Sequence, residues 1–283
     1  MKKLLLIALV TFFGFSANAQ VKTPQPSPLS KMEQKVGLTD VTIEYSRPAV
    51  RGRKIFGDLV PYGKMWRTGA NANTKVTFSD DVKIGDSNVK AGTYAIFTIP
   101  NEKSWDILVY ADASNWGTPE KWDDSKVVAK VGAEVYAMPM SVESFTVSVD
   151  DISNNSAVIG MIWENVYVGM PFTVPTAMKV SASIDETMKG DPKAGDYYSA
   201  AVYYLQEKMD MKKAMMWIDK AVEMTSDNPR FWYMRQQSLI HAAGGDKAGA
   251  IEAAKKSLAG AEAAGNADYV KMNKDSLKEW GGM

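Results

Sequence analysis

The feature that most constrains this fold is a change in hydrophobic periodicity near residue 185. Upstream, for example in residues 41–45 and 145–150, apolar and polar side chains alternate along the chain. Downstream of residue 191, apolar residues recur three or four positions apart. The first pattern is typical of half-buried antiparallel strands and the second of amphipathic helices. The sequence therefore predicts a multidomain β-then-α protein, with a β domain over residues 29–185 and an α-helical domain over residues 191–283.

The turns of the first domain indicate its architecture. Clusters of Gly, Asn, Asp, Ser and Pro separate the apolar runs at residues 85–88, 100–103 and 153–155. Roughly eight short strands separated by turns are typical of a sandwich or a barrel, and we expect an antiparallel β-sandwich. Residues 20–28 contain three prolines among polar residues and predict an extended lead-in to the first strand.

The helical domain contains an internal repeat. The segment that starts at Asp210 resembles the segment that starts at Asp246, and Ala221 aligns with Ser257. Over residues 196–263 this pattern resembles tetratricopeptide repeats, which pair two helices around small residues, and residues 267–280 then form a closing helix. The alternative is a helical hairpin of no particular family. Because such repeats present a concave surface, a peptide or protein partner is expected here.

The first nineteen residues have the composition of a signal peptide. Lys2 and Lys3 precede an apolar run over residues 4–15, and small residues occupy positions 17 and 19. We expect cleavage after Ala19 and export to the periplasm or the extracellular space. The alternative, a membrane anchor, is disfavoured because a spanning helix needs about 20 apolar residues. No later stretch reaches that length, so no membrane span is expected.

Composition excludes several kinds of chemistry. Lys and Arg number 33, as do Asp and Glu, so no basic surplus favours nucleic-acid binding. The chain has no cysteine and a single histidine, His241, which we interpret as a packing residue. Without thiolates or a histidine cluster, we expect no catalytic residues, no metal ligands and no cofactor. Paired acids at residues 80–81, 123–124 and 150–151 fall near turns and are interpreted as solvated.

One dense motif, residues 47–71, is here called the arginine loop. It combines the arginines of the β domain with aromatic residues, glycines and prolines. Guanidinium groups bind carboxylates, carbonyls or phosphates in planar geometry, so two interpretations remain open. The favoured one is that the arginines tie the loop to the domain through carbonyls and nearby acids. In the other, they line a pocket for a small acidic or sugar-like ligand or form a partner surface. The candidate ligand-binding residues are Arg47, Arg51, Arg53, Trp66, Arg67 and Asn71.

The order of several short blocks resembles one family of exported bacterial proteins, domain of unknown function 2911. The resemblance runs from about residue 26 to residue 174. It implies export and, in some members, tetratricopeptide-like tails, but it supplies no activity and no catalytic residue. The blocks are Pro26-Ser27-Pro28, Tyr45-Ser46-Arg47-Pro48, Gly52-Arg53, Ile55-Phe56-Gly57, Leu59-Val60-Pro61-Tyr62-Gly63, Trp66-Arg67-Thr68-Gly69-Ala70-Asn71, Ala91-Gly92-Thr93-Tyr94 and Trp116-Gly117.

Together these observations favour an exported, non-enzymatic binding or interaction protein of the cell envelope. One alternative is a carboxylate-based hydrolase that acts on glycans, which would need two acids facing each other across a cleft. A second alternative is a purely structural envelope protein. Trp116 and Trp122 flank one loop and are interpreted as a cover for the sheet rather than as a platform for a sugar ring.

Overall fold

The structure is a computed structural model that describes residues 23–282. The chain divides between Pro175 and Thr176 into two compact units, the first built of strands and the second of helices. The predicted change from strands to helices is therefore confirmed, although the first helix begins before residue 185. The predicted signal peptide and its cleavage site lie outside the described residues. Among the described residues, no helix is both long enough and apolar enough to span a membrane.

Two antiparallel sheets form the first unit. One has six strands in the order β1-β2-β3-β6-β7-β8, and the other has four in the order β5-β4-β10-β9. The strands are β1 (Leu29–Val36), β2 (Thr39–Ser46), β3 (Ala70–Phe78), β4 (Val82–Ile84), β5 (Ser87–Val89), β6 (Gly92–Pro100), β7 (Ser104–Tyr110), β8 (Val127–Glu134), β9 (Tyr136–Asp150) and β10 (Ser156–Thr173).

The main apolar core of this unit draws side chains from both sheets. Ile43 and Val76 of the six-stranded sheet belong to the same buried cluster as Phe145 and Ile159 of the four-stranded sheet. This placement follows from the period-two alternation, since every second residue of a strand points to the same face. The arginine loop contributes Phe56 to this core.

A second, smaller core covers the opposite face of the six-stranded sheet. Phe97 of β6 and Tyr110 of β7 are buried there, with Trp122 packed against them. The Trp122 ring stacks on Tyr110 with centroids 4.4 Å apart. Residues 111–122, here called the covering segment, therefore lie over this face. Strands β6 and β7, which are apolar on both faces, have a neighbouring strand on each side, as their sequences predict.

Six helices form the second unit. Two of them begin in the same way, because Asp210 accepts hydrogen bonds from the backbone at the start of one helix and Asp246 does so at the start of another. Buried alanines, among them Ala214 and Ala250, let the helices approach closely. The helices are α1 (Thr176–Thr187), α2 (Ala194–Gln206), α3 (Met211–Glu223), α4 (Phe231–Ala243), α5 (Lys247–Ala263) and α6 (Ala267–Glu279).

Candidate functional site

The arginine loop fastens the lead-in segment to the first unit. Arg51 donates from Nη2 to the Pro26 carbonyl over 2.7 Å. The Asn71 side-chain amide donates to the Ser27 carbonyl over 3.1 Å. Because both side chains are occupied in this way, Arg51 and Asn71 help to fix where residues 25–28 lie.

Two further arginines of the loop also bind backbone carbonyls. Arg47 donates from Nε to the Phe145 carbonyl over 3.1 Å and from Nη2 to Thr146 Oγ1 over 2.8 Å. Arg53 donates to the Val50 and Ala49 carbonyls over 3.0 and 2.6 Å. These contacts match the interpretation of the arginines as internal ties, and they occupy donors that a ligand would need.

Trp66 is half-buried and packs against the main core. Its ring stacks on Trp163 with centroids 5.9 Å apart, and it meets Trp105 and Phe145 edge-on. Its indole N–H donates to the Gly69 carbonyl over 3.1 Å. Trp66 therefore stabilises the loop from within.

Arg67 differs from the other three arginines of the loop. Its Nε atom is buried, and no group within residues 23–282 offers it a hydrogen bond. Its Nη1 atom lies only 2.9 Å from the position that a Cβ of residue 117 would take, and that residue is Gly117. Glycine at this position therefore allows the guanidinium to approach the covering segment closely.

Asn73 is a second buried polar residue on the same face, and sequence reasoning did not select it. Its side chain is 2% exposed, and neither amide atom has a hydrogen-bond partner in the described part of the chain. Lys75 pairs directly with Ala95, which belongs to the second core. Residues two apart on a strand share a face, so Asn73 points to the side that the covering segment overlies.

A hollow of about 500 Å³ lies between the lead-in segment, the start of β3 and the covering segment. Trp116 forms one wall and is 75% exposed, so its interpretation as a cover for the sheet is wrong, whereas Trp122 does pack on the sheet. The Asn71 and Gln25 amides contribute polar groups. Ala72 lines the hollow immediately before Asn73, and Trp116 lines it immediately before Gly117. The complete lining is Gln25, Pro28, Leu29, Ser46, Asn71, Ala72 and Trp116.

The acidic residues of the covering segment and of the turn after it, Asp112, Asp123 and Asp124, accept hydrogen bonds from nearby side chains. Asp112 accepts hydrogen bonds from Ser114 and from Lys126, and these contacts lower the pKa of Asp112 to about 2. Asp123 accepts from Ser125, which lowers its pKa below the usual value. Asp124 accepts from the indole of Trp122 over 2.8 Å. The lowered pKa values keep Asp112 and Asp123 ionised, and all three carboxylates accept hydrogen bonds from neighbouring groups.

Other candidates from the sequence have local partners. Asp81 pairs with Lys90 over 2.9 Å. Asp150 accepts a hydrogen bond from Tyr167, whose pKa rises to about 12 through burial and the neighbouring carboxylate. Within residues 23–282, no group of three or more acidic or histidine side chains is arranged to hold a metal ion.

His241 lies inside the helical unit between two carboxylates. Its Nε2 atom is 2.8 Å from Asp219 and its Nδ1 atom is 2.7 Å from Asp246. Burial lowers the pKa of His241, but the two hydrogen bonds outweigh burial and raise the pKa above 6.5. The residue therefore links α3 and α4 to the start of α5, as its predicted packing role requires.

The β unit thus represents a class of domain with two antiparallel sheets, a loop held by arginine side chains and a hollow beside the lead-in segment. Comparison with family models gives the particular family, described as "Protein of unknown function (DUF2911)", which matches residues 27–172. The match spans more than half of the chain, and the chain belongs to this family. No curated protein and no solved structure matches the chain.

Proposed function

We propose that this is an exported, non-enzymatic binding protein whose β unit binds a small sugar-like or acidic ligand. The observation that supports it is the hollow of about 500 Å³ between the exposed Trp116 and the side-chain amides of Asn71 and Gln25. An exposed indole beside amides suits a sugar, because a ring can stack on the indole while hydroxyl groups bind Asn71 Oδ1 and Gln25 Nε2. The other two amide atoms hold the lead-in, since Asn71 Nδ2 donates to Gln25 Oε1 as well as to the Ser27 carbonyl. Residues of the lead-in form part of the hollow. By fixing the lead-in, Arg51 and Asn71 of the arginine loop therefore also fix that part of the hollow.

Binding is tested with the purified chain and a defined panel of sugars. The probes are glucose, galactose, N-acetylglucosamine, glucuronate and galacturonate, each measured by isothermal titration calorimetry. At least one probe should bind, and Trp116→Ala should abolish that binding. Tyr136→Ala removes another exposed aromatic side chain, on β9 of the other sheet, and should leave binding unchanged.

The same experiment distinguishes the alternatives. If none of the five probes binds, the binding proposal fails and a structural role in the envelope gains support. If a polysaccharide of the bound sugar is cleaved, the protein is a glycan hydrolase instead. The paired acids of the β unit lie in or beside turns and strand ends, with partners such as Lys90 and Tyr167, which favours binding over hydrolysis.

We also propose a β-sandwich for the first unit and tetratricopeptide-like repeats for the second. The shared core of the two sheets supports the sandwich. The repeated aspartate caps at Asp210 and Asp246 support the repeats, as do the buried small residues Ala221 and Ser257 at equivalent positions. A crystal structure would test both assignments through the angle between the sheets and the packing of successive helix pairs.

Export rests on the sequence of residues 1–19. Mass spectrometry of the protein recovered from the cell envelope and the medium should give a chain that begins at Gln20. A recovered protein that retains residues 1–19 would contradict the assignment of a cleaved signal peptide.

A second candidate function is binding of a peptide or protein by the helical unit. A hollow of about 650 Å³ is lined by residues of α2 and α3 and by Met188, and Met216 is 59% exposed at its edge. Exposed methionines suit adaptable protein contacts. A photoreactive residue at position 216 should cross-link a partner in cells, whereas one at Met178, which is 70% exposed, should not. Equal cross-linking from both positions would count against a specific surface.

A further inference from the structure

We infer that the ligand of the β unit is a neutral N-acetylhexosamine, whose ring stacks on Trp116 while its acetamido group lies between the side chains of Gln25 and Leu29. This inference rests on the proposed function, because it names the chemical class of ligand for the same hollow. Every side chain that it assigns to ligand binding lines that hollow.

The hollow has no charge with which to bind an acid. None of the seven residues that line it within the described part of the chain has an ionisable side chain. A sugar acid that entered the hollow would lose part of the hydration of its carboxylate without gaining a cationic partner, which is costly. Neutral hydroxyl and amide groups lose less hydration. The lining therefore favours a neutral sugar over a uronic acid.

Two amide atoms of the hollow remain available to a ligand. Asn71 Nδ2 donates to Gln25 Oε1 over 3.4 Å and to the Ser27 carbonyl over 3.1 Å. Because these hydrogen bonds use the nitrogen of Asn71 and the oxygen of Gln25, Asn71 Oδ1 remains as an acceptor and Gln25 Nε2 as a donor. The contact between the two amides also keeps this acceptor and this donor in the same part of the hollow.

Apolar side chains lie next to these amides. Pro28 and Leu29 line the hollow on the side of the lead-in, and Ala72, which follows Asn71 in the sequence, lines it as well. Leu29 is 70% exposed, so most of its surface is open to a ligand. Because burial of apolar surface stabilises a complex, the ligand gains affinity from an apolar group placed beside its polar ones.

An N-acetylhexosamine matches this lining better than a plain hexose does. The apolar face of its ring stacks on Trp116, as that of any hexose would. Its acetamido carbonyl accepts from Gln25 Nε2, and an adjacent hydroxyl group donates to Asn71 Oδ1. The acetamido methyl group then packs against Leu29. A plain hexose has no methyl group at this position and leaves the leucine side chain in water.

The test compares closely matched sugars on the purified full chain by isothermal titration calorimetry. N-acetylglucosamine should bind at least fivefold more tightly than glucose, a difference of about 1 kcal/mol in binding free energy. Burial of one methyl group contributes about that much. Glucuronate should bind no more tightly than glucose, because the hollow offers its carboxylate no cation.

Two variants remove the groups assigned to the acetamido group. Gln25→Glu keeps an oxygen that accepts from Asn71 but lacks the Nε2 donor, and Leu29→Thr shortens the apolar wall with a residue that suits a strand. Each should lose most of the preference for N-acetylglucosamine over glucose. Gln34→Glu and Leu59→Thr make the same changes at positions that do not line the hollow and should keep the preference. Gln25 and Leu29 are exposed, and circular dichroism confirms that each variant is folded.

Each outcome decides a different claim. If glucose binds and N-acetylglucosamine binds less than fivefold more tightly, the inference is wrong while the proposed function stands. A uronate that binds more tightly than its neutral hexose overturns the inference in the same way. So does a preference that largely survives in Gln25→Glu or Leu29→Thr, or that is lost equally in the two control variants. If no probe binds, the proposed function fails and the inference fails with it.

Discussion

Two neighbouring residues of β3 should respond in opposite ways to the same substitution. Thr74 is buried, and its hydroxyl donates to the Thr68 carbonyl. Thr74→Val keeps the shape but leaves that carbonyl without this donor, at a cost of about 1–3 kcal/mol. For a unit of this size that lowers the melting temperature by roughly 2–12 °C. Asn73→Val removes two amide atoms that have no partner in residues 23–282, so we expect an unchanged or raised melting temperature.

Differential scanning calorimetry of the full chain measures both effects. The two variants receive the same side chain at adjacent positions of one strand, so differences in strand propensity largely cancel. A fall for Asn73→Val as large as that for Thr74→Val would show that the Asn73 amide stabilises the free protein. That result would refute the inference that the Asn73 amide, which has no partner within residues 23–282, adds no stability to the unit.

Two further predictions concern stability. The hydrogen bonds of His241 to Asp219 and Asp246 raise its pKa above 6.5, so the stability that they contribute is complete below pH 6.5 and is lost as the pH rises through the raised pKa. The melting temperatures of the unchanged chain and of His241→Asn should therefore converge as the pH is raised from about 6 to about 9. A difference in melting temperature that stays constant over this range would contradict the role of His241. Arg47→Met leaves the Phe145 carbonyl without the Arg47 donor and should lower the free energy of unfolding in urea by about 1–3 kcal/mol. Arg53→Met, at an exposed site, should lower it by less than about 1 kcal/mol. Equal losses of stability in the two variants would contradict the difference in burial.

The arrangement of strands and helices was largely readable from the sequence. Alternation in residues 41–45 and 145–150 depends only on which face of a strand is buried, and β2 and β9 contain these residues. The internal repeat aligned Asp210 with Asp246, and in the structure each caps a helix, because a capping aspartate acts within its own helix turn. Local chemistry decided both features, so a single sequence was enough to predict them.

The partners of the arginines could not be predicted in the same way. The acceptors of Arg47 lie 98 and 99 residues away along the chain, on β9. No spacing rule connects such positions, so the sequence could show the density of guanidinium groups but not which of them are occupied. Asn73 was missed for a related reason. An asparagine among polar neighbours on a strand predicts a solvated face, whereas the structure leaves Asn73 only 2% exposed.

The four arginines of the loop differ in whether their guanidinium groups have hydrogen-bond acceptors. Arg47, Arg51 and Arg53 each find a backbone carbonyl within 3.1 Å, so this loop readily offers acceptors to guanidinium groups. The buried Nε of Arg67 finds none within the described residues, although it lies in the same loop. A general shortage of hydrogen-bond acceptors in the loop therefore does not explain why Arg67 Nε has no partner there. Selection for stability alone would favour an apolar residue at such a position, because removing a buried polar group without a partner stabilises the fold. Among the four arginines of the loop, replacement of Arg67 by an apolar residue is therefore expected to destabilise the unit least.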